Sequence, residues 1–105
     1  MILLDKDNFE NEVLKSSGLV VVDFWGEGCV PCSELMPEFE SLALDYTNKV
    51  KFAKLNTSKD RKLAISQRVL GLPTVVLYKD GLRLGECTKD LATKEGIMKM
   101  IALHL

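Results

Sequence analysis

No stretch of this chain is long and apolar enough to cross a bilayer. Uncharged apolar runs such as Gly18–Val22 fall far short of the ~20 residues that a spanning helix needs. Charge of one sign is lacking too. Fourteen Lys and Arg against fifteen Asp and Glu leave a net charge of −1, which gives no electrostatic footprint for nucleic acid or an anionic membrane surface. Cysteine occurs three times and histidine once, too few and too odd a set for the disulfide framework of a secreted scaffold. The amino terminus, Met1-Ile-Leu-Leu-Asp5, has neither a basic region nor a small-residue cleavage site, so it does not read as a signal peptide. A reducing, cytoplasmic compartment is the expectation. No repeat, linker or low-complexity segment interrupts the 105 residues, of which 47% are hydrophobic and 28% charged. These proportions predict one globular domain over residues 1–105, burying about two-thirds of its unfolded surface.

What is present is an alternation of short apolar runs and longer helical patterns. Ile2–Leu4 reads as a short strand. Asp7 and Glu10, three apart, form a capping-box pattern ahead of Val13 and Leu14, and Ser16-Ser17-Gly18 stops that helix. Leu19–Trp25 is β-branched and aromatic with one polar member, Asp23, which suits a strand covered on both faces. From about Cys32 to Tyr46, Leu35, Met36, Phe39, Leu42, Ala43 and Tyr46 recur at helical spacing, with Pro37 inside the pattern as a candidate kink. Val50–Asn56 reads as a strand, and Asp60 starts a helix that Gly71-Leu72-Pro73 must end. Thr74–Lys79 and Arg83–Thr88 flank Asp80-Gly81, a hairpin signal. Thr93 caps a last helix with Ile97, Met98, Met100 and Ile101 expected against the sheet. The order β-α-β-α-β-α-β-β-α predicts an α/β fold. Its sheet is mixed, parallel through the crossovers and antiparallel at the final hairpin, with helices on both faces.

Two of the three cysteines form Cys29-Val30-Pro31-Cys32 in a Gly-rich loop between a strand and a helix. A structural metal site wants four ligands, and only Cys87 and His104 remain, both far along the chain. An inert buried pair is a second reading, opposed by the solvent-facing loop. The redox reading has a mechanism. Free N–H groups and the positive end of the dipole at a helix N-terminus favour thiolate over thiol. Two intervening residues let the sulfurs close a small ring, and Pro31 suits a first helical turn, where its missing N–H would have had no partner.

Val22-Asp23-Phe24-Trp25 followed by Cys29-x-Pro31-Cys32 resembles the active-site segment of the thioredoxin family. Pro37 matches the family's kinking proline, Lys54 its strand lysine, Gly71-Leu72-Pro73-Thr74 its cis-proline loop and Asp80-Gly81 its hairpin turn. The resemblance covers nearly the whole chain and implies the thioredoxin fold. The activity it implies is reduction of protein disulfides by dithiol–disulfide exchange. Cys29 would be the nucleophile, Cys32 the resolving thiol and Asp23, beside Lys54, a buried acid–base for Cys32. The alternative reading of Asp23 is a strand-end carboxylate that bends into solvent or caps the next helix. Trp25, Gly28, Val30, Pro31, Leu72 and Pro73 would form the substrate surface, with the Leu72 backbone pairing with a substrate strand and the Leu72–Pro73 bond cis. The resemblance implies no metal and no cofactor beyond the Cys29–Cys32 disulfide. The implied partners are a thioredoxin-reductase-type flavoprotein and disulfide-containing proteins, and the implied state is a monomer.

The chain also departs from the family. Gly28 stands where Trp is usual, Val30 where Gly is usual, and Ser33 where a basic residue is frequent, so this is a variant Gly-Cys-Val-Pro-Cys site. Glu27 and Glu34 predict a negative rim that opposes the Cys29 thiolate. The family's groove glycine is replaced near Lys89-Asp90. Cys87 reads as a buried packing thiol and His104 as a solvated terminal residue.

Overall fold

The computed structural model describes residues 1–105. The apolar runs pair into one five-stranded sheet: β1 (Ile2–Leu4), β2 (Leu19–Trp25), β3 (Lys51–Asn56), β4 (Thr74–Lys79) and β5 (Leu82–Thr88). Their spatial order is β1-β3-β2-β4-β5. The longest apolar run, β2, therefore takes the centre, where both faces are covered. Strand alternation divides its side chains between two cores. Val21 meets Leu35, Phe39, Ile97 and Ile101 of α1 (Val30–Asp45) and α3 (Lys94–Ala102) on one face. Val20, Val22 and Phe24 meet Phe9, Val13 and Ala64 on the other, the last from α2 (Arg61–Ser66). The mixed α/β sheet with helices on both faces agrees with the sequence reading.

Helix length sets strand direction. The 16 residues of α1 rise about 24 Å, enough to return the chain to the start of a strand, and β3 pairs with β2 in parallel. The six residues of α2 rise only about 9 Å, against the roughly 20 Å of a six-residue strand. The chain re-enters the sheet from the end it left, and β4 runs antiparallel to β2 with Thr74 opposite Phe24. Parallel crossovers throughout were the expectation, and this one is corrected. The reversal sets the loop before β4 beside the loop after β2.

Two further details differ from expectation. The first helix is one wide turn, Glu10–Leu14, closed by the Lys15 N–H on Glu10 O at 2.8 Å. Its start at Phe9 has no side-chain cap; just ahead, Asp5 Oδ1 accepts from the N–H groups of Asp7 and Asn8, while Asn8 Oδ1 accepts from the Asp5 N–H. Asp7 and Glu10 play no such part, because β1 ends at Leu4 and the turn begins at once; Asn8 Nδ2 ties it to Leu3 O. On α3, Ile97, Met100 and Ile101 are buried but Met98 is 42% exposed, one step of about 100° off the apolar stripe. As expected, Pro37 lies inside α1, and it is exposed.

Elsewhere the local signals hold. Thr93 Oγ1 accepts from the Gly96 N–H at 3.0 Å, capping α3. Asp80 and Gly81 both take positive φ, 51° and 83°, the backbone of a tight hairpin turn. No helix is long and apolar enough to cross a membrane.

Candidate active site

Cys29 and Cys32 are joined as a disulfide, with Cα atoms 5.3 Å apart. The pair opens α1: Cys29 is its N-cap residue, and its Sγ accepts from the Cys32 N–H at 3.3 Å. Pro31 occupies the first turn, where no N–H is missed. Cys29 O accepts from the Ser33 N–H at 3.2 Å and from Ser33 Oγ at 3.4 Å. The two sulfurs differ in access. Cys29 is half-buried and Cys32 is 2% exposed. Cys29 Sγ thus lies at the N-terminus of α1, where the positive end of the helix dipole favours negative charge.

The loop carrying Cys29 is held from the end of β3. Thr57 donates to Trp25 O through both its N–H and its hydroxyl, each at 2.8 Å. Ser58 Oγ accepts from the Glu27 N–H at 2.9 Å, and Asn56 Nδ2 donates to Glu27 Oε2 at 3.1 Å. The Glu27 carboxylate is thus engaged by an amide. Glu34 lines a groove with Glu38, Pro31 and Thr93, on the α3 side of α1. Gly28 takes φ +78°, a backbone suited to glycine, and Val30 is 65% exposed beside the disulfide.

Beneath α1, Asp23 is fully buried, and neither carboxyl oxygen has a hydrogen-bond partner within the protein. By strand alternation it points to the face of Val21, the α1 side of the sheet. Burial pushes its pKa from 3.8 up to about 7, and Lys54, its register partner on β3, partly opposes that rise. A cavity of about 200 Å³ lined by Trp25, Cys32, Ser33, Met36 and Lys54 opens on this flank of the disulfide. The structure therefore keeps Asp23 out of solvent and off the helix cap, against the alternative reading of its role.

The third component is the loop before β4. The Leu72–Pro73 peptide is cis, as the resemblance implies. Leu72 lies directly over the cysteine loop: a Cβ added to Gly26 would meet Leu72 Cδ1 at 2.7 Å. Thr74 Oγ1 donates to Gly71 O at 2.6 Å and shares a 2.8 Å hydrogen bond with Thr88 Oγ1. Lys89 closes the loop from behind, its N–H on Pro73 O at 2.9 Å. Asn56, Thr57, Ser58, Thr74 and Thr88, all supports of the site, carry no motif of their own. Only their position at strand ends could have marked them.

Cys87 lies away from the site, buried on β5 with Sγ 3.9 Å from Met100 Sδ, and its thiol pKa is raised by burial and then by Glu86. No group of three or more His, Cys, Asp and Glu side chains is arranged to hold a metal ion.

The Thioredoxin family model matches residues 1–103. A thioredoxin from Peptoclostridium acidaminophilum is 54% identical over 105 residues, which is all of this chain and 96% of that one. One from Acetoanaerobium sticklandii is 49% identical over 105 residues, all of both chains. A thioredoxin from Buchnera aphidicola is 38% identical over 98% of this chain and 89% of its own.

Proposed function

The chain belongs to the thioredoxin family and is a protein thiol–disulfide oxidoreductase, and from this premise we propose how its own residues divide the work. The Cys29 thiolate attacks one sulfur of a substrate disulfide, forming a mixed disulfide and expelling the other substrate sulfur as a thiolate. The Cys32 sulfur, deprotonated, then attacks Cys29 Sγ. That step releases the second substrate thiolate and leaves the Cys29–Cys32 disulfide on the protein. The observation that carries this assignment is the unequal exposure of two bonded sulfurs at one helix N-terminus. Only the outer sulfur can meet a bulky protein substrate.

Asp23 takes the proton from Cys32. A carboxyl buried under the same helix, with a pKa near 7, is matched to a proton transfer at neutral pH. Lys54 acts through Asp23 by holding its pKa below the value burial alone would set. Trp25, Gly28, Val30 and Pro31 on one side and Leu72 and Pro73 on the other form the contact surface. The Leu72 backbone pairs with an extended substrate strand, a mode that reads main chain and accepts many sequences.

The family implies a reductase and disulfide-bearing proteins as partners. We assign the reductase to the flavoprotein class and the protein to the cytoplasm, where it works as a monomeric single domain. Its electrons are held on Cys29 and Cys32 without a bound cofactor. With dithiothreitol as the electron source, the native protein accelerates precipitation of insulin chains and Cys29→Ser does not. Equal slow precipitation by both would overturn the assignment.

A further inference from the structure

Lys89 stands in the left-handed region, with φ +54°. Its N–H on Pro73 O straps it to the loop that carries Leu72, and Thr88 Oγ1 reaches the same carbonyl at 3.4 Å. The lysine arm then folds over Gly71, the residue before Leu72. A Cβ on Gly71 would stand 2.9 Å from Lys89 Cε and 3.8 Å from its Nζ, so the missing side chain at Gly71 is the space the arm fills. The chain's three ion pairs join Lys15 to Glu10, Lys51 to Glu12 and Arg83 to Glu86, and none includes Lys89. Asp90, next in sequence, does not neutralise it. Arg61 is in no ion pair either. It lines a groove of about 240 Å³ with Ser58, Ile65, Leu70 and Leu72. Two cations outside any ion pair therefore lie by the Gly71–Leu72 segment, while Glu27 is held by Asn56 and Glu34 lines a groove with Pro31 and Thr93.

We propose that Lys89, with Arg61 as a lesser contributor, is a specificity-determining residue that selects substrate strands carrying a carboxylate beside the attacked cysteine. This rests on the reading that a substrate strand pairs with the Leu72 backbone. Such a strand, continuing past Leu72, crosses Gly71 and brings its flanking side chains to the Lys89 ammonium. Main-chain pairing supplies affinity without choice, and the lysine supplies choice. An exposed ion pair of this kind raises kcat/KM about two- to five-fold. Like charge at the same place opposes binding.

The test uses three disulfide-bridged peptides, identical except that the residues flanking one cysteine are Asp, Gln or Lys. Reduction is compared in the native protein, Lys89→Gln, Lys89→Glu and Lys89→Gly. The last keeps a left-handed backbone without strain. The readout is the ratio of kcat/KM between peptides for one protein, so any general loss in a variant cancels. The native protein prefers the Asp peptide to the Gln peptide about two- to five-fold at low salt. That preference fades at about 1 M salt, where screening acts over about 3 Å. Lys89→Gln and Lys89→Gly lose it and Lys89→Glu inverts it. The same ratio in all four proteins, or a loss shared equally by all three peptides, would overturn the proposal. If the native protein reduced none of the peptides, the pairing of substrate with this site would itself be at fault.

Discussion

Asp23 and Lys54 are register partners on adjacent parallel strands, yet they do not close an ion pair, and burial decides the state of the acid. The lysine lowers the carboxyl pKa, but desolvation raises it more, and the balance lies near pH 7. A carboxyl so placed exchanges its proton at the pH where a thiol–disulfide enzyme works.

That placement has a cost in stability that depends on pH. The unfolded chain releases the Asp23 proton near 3.8, while the folded chain holds it to about 7. Between those values the folded state binds more protons, so stability falls as pH rises. Below about pH 4 both states are protonated and no penalty applies. Asp23→Asn removes the titration. Its advantage over the native protein should therefore grow from pH 4 to pH 7 by up to about 1.4 kcal/mol per pH unit, roughly 4 kcal/mol in all. Urea unfolding across this range measures it. A difference independent of pH would contradict the burial of Asp23 as an acid.

Lys54→Met removes the opposing charge while keeping the length of the side chain. The Asp23 pKa should then rise above its native value of about 7, followed directly by the carboxyl carbon shift in an NMR titration. An unchanged or lower pKa would show that Lys54 does not act on Asp23.

Gly26 and Leu72 join the two halves of the site, since an added Cβ at Gly26 meets Leu72 Cδ1 at 2.7 Å. The neighbour is the end of a flexible side chain, so Gly26→Ala should fold, with a loss of about 1–3 kcal/mol from overpacking. Displaced Leu72 should raise KM for protein disulfides more than it lowers kcat. Steady-state kinetics and the Leu72 methyl shifts read the two effects. Unmoved methyls with a normal KM would show that the loops are not coupled here.

Cys87 is buried and its thiol is shifted up, away from thiolate. In the reduced protein an alkylating agent should modify Cys29 first and Cys87 at least roughly a hundred-fold more slowly, at the rate of unfolding. Comparable labelling of the two would place Cys87 in an accessible position.

Much of the site is legible in the sequence because its groups break local patterns. An acid within Leu19–Trp25, two cysteines between a strand and a helix, and a proline after Gly71-Leu72 each stand out against their neighbours. What escapes is set by geometry between segments. The direction of β4 follows from the shortness of α2, and the Asp5–Asn8 turn from where β1 ends. The hydroxyls of Thr57, Ser58, Thr74 and Thr88 have no periodicity to reveal that they clamp two loops. Lys89 is marked in the sequence only by the groove glycine replaced near it; its φ and its path over Gly71 depend on how the chain folds.

The division of labour between the two cysteines is tested most directly by trapping the intermediate. Reduced Cys32→Ser, mixed with a disulfide-bearing protein, should accumulate one equimolar covalent adduct, and mass mapping should place its link at Cys29. The reciprocal variant, Cys29→Ser, should trap none, because Cys32 is 2% exposed. An adduct through Cys32 in Cys29→Ser at a comparable rate, or no adduct at Cys29 in Cys32→Ser, would contradict the account.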